Sequence, residues 1–214
     1  MTHARPQLSF VATLKCQVEG HEGFVDFNTA AECREGPECS LTPTLYLTAN
    51  NYYNAPDIDA SLRCDLHFRA LQTPEGGVIY NIAVLFGDDT LQMVAQTRSG
   101  EIFLSPMPEP GLLEFWHLRS APEPVLPEVP GKYAGVWLER YITKGEQAWL
   151  QEIGAQWPAG TGFYVQTRQD SGRYWNALFT AQKGDERIPF LGDLYVSHMG
   201  LYDAATMEPY IHEG

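Results

Sequence analysis

Three cysteines and one histidine near the start of the chain could hold a metal ion. Cys16 and His21 are five residues apart, and Cys33 and Cys39 enclose a short loop of Arg, Glu, Gly, Pro and Glu. Zinc takes four thiolate, imidazole or carboxylate ligands in a tetrahedron. These spacings are longer than the two-residue loops typical of zinc sites, so small buried cysteines and free thiols are the favoured interpretation. We therefore expect no cofactor, and a structural zinc at these four residues is the alternative.

Three histidines could serve an enzyme. Asp65 and His67 are two residues apart in a predicted strand and so lie on one face, where a carboxylate can orient an imidazole for general-base catalysis. The sequence offers no nucleophile in a G-x-S-x-G turn, no glycine-rich phosphate loop and no H-E-x-x-H helix. An enzyme would need a non-local active site around His67, His117 or His198, and we consider a non-enzymatic protein more consistent with the sequence.

The residues that we expect to contact a partner lie in loops and turns. Two adjacent tyrosines occupy a polar loop, one tryptophan lies between prolines, and four aspartates lie in a loop and a hairpin turn. Exposed aromatic side chains anchor protein interfaces, and carboxylates complement basic surfaces. The predicted partner-binding residues are Tyr52, Tyr53, Asp57, Asp59, Asp88, Asp89 and Trp116.

The charge of the chain limits what it can bind. Its 214 residues include 27 acidic and 14 basic ones, which gives a net charge of -13. Proteins that bind duplex nucleic acid or anionic membranes gather Lys and Arg into clusters, and this sequence has none. An acidic surface is attracted to basic patches on other proteins, although it also serves solubility alone. The composition therefore predicts a basic protein partner, no duplex nucleic acid and no membrane.

The first residues show no targeting signal. Residues 1–6 lack the apolar stretch of a secretory signal, and no apolar run approaches the roughly 20 residues that cross a bilayer. The sequence therefore predicts a cytoplasmic protein.

One pattern occurs twice and indicates the fold. Residues 68–84 and 162–179 each carry Gln-Thr, a polar turn that ends in Gly, and an aromatic-Asn pair. Glycine supplies the positive φ angles that tight hairpins require. This internal repeat predicts two similar antiparallel meanders in a mainly β protein. They would form two small β-domains or one β-sandwich or barrel.

A proline-rich stretch at residues 120–131 separates the two copies and is predicted to be an extended linker. We therefore predict an N-terminal β-rich domain at 1–119 and a C-terminal β-rich domain at 132–214. One short helix is predicted after residue 143, where Thr143 and Glu146 fit a capping box and Gly154 fits a C-terminal cap. A second helical segment is predicted at 29–34.

Three functions agree with these features. The one that we favour is a non-enzymatic acidic protein that binds a basic partner and inhibits, or mimics nucleic acid at, a nucleic-acid-binding machine. The first alternative is a module that binds single-stranded nucleic acid or carbohydrate through aromatic side chains on a sheet. The second alternative is the enzyme with a non-local site described above.

Overall fold

Strands make up most of the structure, which is a computed structural model. It describes residues 3–28, 44–49, 65–85, 91–96, 102–105, 115–120, 123–142, 144–152, 154, 162–170, 173–180 and 188–200. The strands are β1 (His3–Ala4), β2 (Phe10–Cys16), β3 (Gly23–Asn28), β4 (Thr44–Ala49), β5 (Leu66–Gln72), β6 (Val78–Leu85), β7 (Leu91–Gln96), β8 (Ile102–Ser105), β9 (Phe115–Ser120), β10 (Glu123–Pro124), β11 (Gly131–Tyr141), β12 (Phe163–Asp170), β13 (Arg173–Thr180), β14 (Ile188–Pro189) and β15 (Gly192–Met199). A 3₁₀ helix spans Pro6–Leu8, and the α-helix α1 spans Lys144–Glu152.

The mainly β, antiparallel class is confirmed. The first predicted meander appears as β5, β6, β7 and β8, each paired antiparallel with the next. The second copy forms the predicted hairpin of β12 and β13. After this hairpin the chain departs from a meander, because β14 pairs with β12, and β15 pairs with β2 and β11. Leu194 and Val196 of β15 are buried in the core. Burial of this strand, and not its closeness in sequence to β12, β13 and β14, therefore decides which strands it pairs with.

Six strands close into a ring. The order β5–β2–β15–β11–β9–β6 returns to β5 through antiparallel pairs. Alternate residues of these strands face the interior and form the main apolar core, as the two-residue period of a strand requires. The ring takes strands from both sides of the predicted domain boundary. The sheet therefore crosses the predicted boundary between the domains. The division into two domains stays a prediction, and the strand pairing does not favour it.

Aromatic rings fill the interior. Phe10 and Phe68 stack with their ring centroids 4.7 Å apart, and Tyr80 packs edge-on against both. Trp116, paired with Tyr80 across β9 and β6, is 0% exposed. The prediction that Trp116 is exposed was therefore wrong. Its position in β9 alternates with half-buried neighbours, and this alternation rather than the nearby prolines turns it inward.

The proline-rich segment packs against β9 instead of forming an extended linker. β10 pairs with the end of β9, and the Val125 N–H donates to the Leu118 carbonyl at 2.9 Å. The Tyr133 hydroxyl donates to the Val129 carbonyl at 2.9 Å, and Pro127 is buried. Proline removes a backbone donor but leaves its neighbours free to hydrogen bond, so the segment can still pack.

Helix α1 confirms the predicted helix and its end. Gly154 has a φ of 67°, and its N–H donates to the Gln151 carbonyl at 3.2 Å, as expected of a glycine that ends a helix. The second predicted helical segment, at 29–34, lies outside the described residues. No helix in the described part of the chain is long and apolar enough to span a bilayer.

Candidate functional site

An open apolar groove of about 540 Å³ lies beside the six-stranded ring. Four separate segments meet there: the turn that follows β2, the middle of β11, the start of β12 with the preceding glycine, and the stretch from β14 to β15. None of the described lining residues carries a charge. They are Val18, Trp137, Leu138, Gly162, Phe163, Tyr164, Pro189, Phe190 and Leu191.

The floor of the groove is continuous with the core. Phe163 and Phe190 are both buried and meet edge to face with their centroids 6.3 Å apart. The Phe190 N–H donates to the Phe163 carbonyl at 2.9 Å. Phe163 also packs edge to face on Trp116, at 4.7 Å. These contacts fix both rings, so the floor is preformed.

Two glycines allow this close packing. A Cβ on Gly162 would lie 2.2 Å from the Leu138 carbonyl oxygen. A Cβ on Gly192 would lie 2.5 Å from the Lys15 carbonyl oxygen and 2.8 Å from the Phe190 ring. Carbon atoms do not approach backbone oxygens so closely, so both positions require glycine if the floor is to keep its geometry.

The rim of the groove combines exposed apolar side chains with carboxylates. Leu191, which lines the groove, is 44% exposed, and the nearby Ile188 is 39% exposed. Next to Leu191, whose carbonyl accepts from the Gln17 N–H at 2.8 Å, Val18 begins a turn closed by the His21 N–H, which donates to the Val18 carbonyl at 2.9 Å. This turn carries Glu19, and Glu22 follows it; both are exposed.

Most described basic side chains are paired or buried. Arg69 and Arg140 are buried, and Arg5 and Lys15 are half-buried. Three further ones form ion pairs: Arg119 with Glu139 at 2.7 Å, Lys132 with Asp193 at 2.7 Å, and Lys144 with Glu75 at 3.2 Å. In contrast, six exposed carboxylates form no ion pair within the described part of the chain: Glu19, Glu22, Asp65, Glu123, Glu128 and Glu152. On the part of the surface that the structure describes, exposed carboxylates therefore outnumber exposed cations.

A second surface, which we call the paired face, lies on β3, β2, β15 and β11. It consists of Lys15, Phe24, Lys132, Asp193 and Tyr195, which share one side of the sheet through direct cross-strand pairs. Lys15 lies 5.5 Å from the centroid of the Phe24 ring, and Lys132 lies 5.6 Å from that of Tyr195. Cations at such distances are attracted to the ring faces.

Asp193 lies at the centre of the paired face. Besides Lys132, Gln17 donates to its carboxylate at 3.0 Å and the Gly135 N–H at 3.4 Å. Burial alone would raise the pKa of Asp193. The hydrogen bonds and the charge of Lys132 outweigh that effect, so this pKa lies below its ordinary value. The carboxylate is therefore ionised at neutral pH and satisfied within the fold.

The three histidines are not brought together. His67 and His198 both pair with Val11, on opposite sides of β2, so roughly 10 Å separates their backbones. His117 lies on β9, with Nδ1 3.3 Å from the Val78 carbonyl oxygen and its ring 5.4 Å from that of Tyr141. Burial lowers the pKa of His67 and of His117. The described residues therefore offer no shared histidine site.

The predicted zinc site is only partly described. Cys16 is buried in the core, and burial raises the pKa of its thiol, which disfavours the thiolate that zinc binds. His21 is half-exposed, with Nδ1 3.3 Å from the Glu19 carbonyl oxygen. No cluster of three or more metal-ligating side chains occurs among the described residues. Cys33 and Cys39 lie outside them, so the site stays a prediction.

The other predicted partner-binding residues also lie outside the described ranges. They are Tyr52, Tyr53, Asp57, Asp59, Asp88 and Asp89. Trp116 is described, and its burial beneath Phe163 removes it from any partner surface. The groove itself was not predicted from the sequence. The apolar run Pro189-Phe190-Leu191 before Gly192 is the sequence signal that indicates its rim.

Comparison of the chain with protein-family models, with curated proteins and with solved structures finds no match.

Proposed function

We propose that this is a non-enzymatic, cytoplasmic acidic protein that binds a basic protein partner. It inhibits a nucleic-acid-binding machine by occupying the surface that would otherwise contact nucleic acid. One observation carries the proposal: among the described residues, several exposed carboxylates form no ion pair, whereas most of the cations are paired or buried.

The physical basis is long-range attraction. A net charge of -13 favours encounter with positively charged surfaces and repels other acidic ones. Carboxylates that already have partners in the fold gain little from a new cation. Glu19, Glu22, Glu123 and Glu128 have no ion pair among the described residues, so each is available to a Lys or Arg of a partner.

The same charges support the nucleic-acid-mimic part of the proposal. A nucleic-acid-binding surface neutralises phosphates with clustered Lys and Arg. Carboxylates are anionic hydrogen-bond acceptors like phosphate oxygens, so they suit the same clusters. A protein with this surface competes with nucleic acid for its partner.

Neither alternative function gains support among the described residues. The enzyme would need its histidines to converge, and His67, His117 and His198 lie apart. The aromatic binding module would need well-exposed rings on a sheet, and Phe24 and Tyr195 of the paired face are half-buried.

Affinity capture tests the proposal. The immobilised protein is incubated with host-cell lysate, and retained proteins are identified by mass spectrometry as the salt concentration rises. We expect basic nucleic-acid-binding proteins that leave between 0.1 and 1 M salt, because the screening length falls from about 10 Å to about 3 Å. We also expect duplex DNA to displace them.

A charge variant provides the control. Replacing Glu19, Glu22, Glu123 and Glu128 by Gln removes four unpaired carboxylates without touching the core. This variant should retain less of the same partners. Capture that is independent of salt and of these four residues, or no basic protein at all, would contradict the proposal.

A further inference from the structure

We propose that the groove receives a large apolar side chain of the basic partner, from a segment in which that residue is flanked by Lys or Arg. This inference rests on the proposed function and adds the place and chemistry of the contact. Two features carry it: a preformed apolar floor and an acidic rim.

The floor suits an apolar occupant. Phe163 and Phe190 are held by the core beneath them and by each other, so an incoming side chain meets a surface that need not rearrange. The volume of about 540 Å³ falls within the range of roughly 300–1,000 Å³ for binding pockets. Leu191 leaves nearly half of its surface in water, and covering it on binding is favourable.

The carboxylates at the rim favour certain residues beside the apolar side chain that enters the groove. Val18 lines the groove and Glu19 follows it directly, while Glu22 precedes Gly23, which pairs with Cys16 at the end of β2. Neither glutamate forms an ion pair with another described residue, and the described lining residues include no basic one. Lys or Arg beside the occupant would thus gain a carboxylate, and Asp or Glu would be repelled.

The same charges argue against a second copy of this chain as the occupant. Each copy has a net charge of -13 and the same acidic rim, so two copies repel each other as they approach. A basic segment has the complementary charge, and one large apolar residue satisfies the floor.

Two synthetic peptides probe the groove directly. Both are extended chains of Lys, Gly and Ser, and they differ in one central residue, which is Leu in one peptide and Ser in the other. Their affinities for the full-length protein are measured by fluorescence anisotropy at low salt. We expect the leucine peptide to bind about tenfold more tightly than the serine peptide.

A matched pair of leucines tests the location. Leu191→Ser removes apolar surface from the rim, whereas Leu126→Ser does so at an equally exposed leucine outside the groove, since the two are 44% and 43% exposed. We expect Leu191→Ser to weaken the leucine peptide about tenfold, to the affinity of the serine peptide. Leu126→Ser should leave both affinities unchanged.

A matched pair of charge variants tests the rim. Glu19→Gln with Glu22→Gln, and Glu123→Gln with Glu128→Gln, change the net charge equally at exposed positions. We expect the first pair to weaken both peptides several-fold more than the second. Equal losses would show general attraction and would overturn the role of the rim.

The outcomes separate the two proposals. If both peptides bind equally and Leu191→Ser has no effect, the groove inference fails while the proposed function stands. If neither peptide binds at low salt, both fail. Self-association of the protein that Leu191→Ser abolishes, measured by sedimentation, would make a second copy the occupant and would also overturn the inference.

Discussion

The paired face lies on β2, β3, β11 and β15, and the groove adjoins it where the chain leaves β2 and enters β15, yet the polar groups of the two regions are compensated differently. On the paired face, Asp193 has Lys132, Gln17 and the Gly135 N–H as partners. Beside the groove, Leu191 is exposed, and Glu19 forms no ion pair with any residue that the structure describes. Polar groups that have partners within the fold stabilise the fold. Groups that have no such partners are available to another molecule. We therefore propose that the groove, and not the paired face, is the binding surface.

Gly192 lies between the two regions, and its substitution should have the largest effect. In Gly192→Ala the new Cβ would lie 2.5 Å from the Lys15 carbonyl oxygen and 2.8 Å from the Phe190 ring, so β2 and the floor must both shift. We expect a loss of about 3 kcal/mol in the free energy of unfolding, at the upper end for overpacking. Denaturant titration measures it.

Gly77→Ala is the matched control. Its Cβ would lie 3.3 Å from the Thr73 hydroxyl oxygen, which belongs to a side chain rather than to the backbone. We expect this change to cost less than about 1 kcal/mol. Equal costs for the two alanines would show that Gly192 does not join the two regions as described.

Asp193→Asn should weaken the paired face alone. The amide loses the ion pair with Lys132 and keeps a similar shape, and hydrogen bonds to charged groups contribute about 1.5–3 kcal/mol, with solvent screening placing this site at the lower end. We expect a loss of about 1.5 kcal/mol at pH 7. Affinity of the groove for the leucine peptide should not change.

The pH dependence of this difference follows from the lowered pKa of Asp193. A carboxyl with a lower pKa in the folded state stabilises the fold above its unfolded pKa, and this contribution disappears as the pH falls through its folded pKa. The gap in stability between the native protein and Asp193→Asn should therefore be constant near pH 7 and close below about pH 3.9, the ordinary value for Asp. A gap that widens with acidification would contradict the assignment.

Local elements could be predicted from the sequence because their signals are local. The turn between β5 and β6 has a Gly76 φ of 88° and a Thr73 N–H that donates to the Gly77 carbonyl at 2.9 Å, as the Pro-Glu-Gly-Gly segment indicates. Helix α1 and its Gly154 end were predictable in the same way. The closure of the ring was not, because the pairing of β15 with β2 joins residues that no periodicity connects.

The groove was harder to predict than the strands. Val18, Trp137, Phe163 and Leu191 are far apart in the sequence and become neighbours only through the strand order. Trp116 was predicted to be exposed because prolines lie on either side of its segment. The alternation of buried and half-buried residues along β9 instead places it in the core. Exposure depends on which face of a strand meets the core, and the sequence alone did not define the core of the ring.

A buried tyrosine hydroxyl allows the same comparison in the interior of the ring. The Tyr80 hydroxyl is buried with no hydrogen-bond partner among the residues that the structure describes, and this burial raises its pKa. Removing an unsatisfied hydroxyl ends its desolvation cost, so we expect Tyr80→Phe to raise the free energy of unfolding by up to about 1 kcal/mol. Tyr133→Phe is the control, because that hydroxyl donates to the Val129 carbonyl and its loss should cost about 0.5 kcal/mol. A clear destabilisation by Tyr80→Phe would show that an ordered water or another group satisfies this hydroxyl.

The smallest expected effect is also the most direct test of the comparison. Leu191→Ser should change the free energy of unfolding by no more than about 0.5 kcal/mol, like Leu126→Ser, because each leucine already leaves over two fifths of its surface in water. Thermal and denaturant unfolding of both variants measure this difference. A leucine that supported the fold would instead cost several times more when truncated, since buried apolar area is lost together with its contacts. A large loss at Leu191 alone would therefore mean that the groove is closed by the protein itself and that its rim belongs, like the paired face, to the compensated part of the surface.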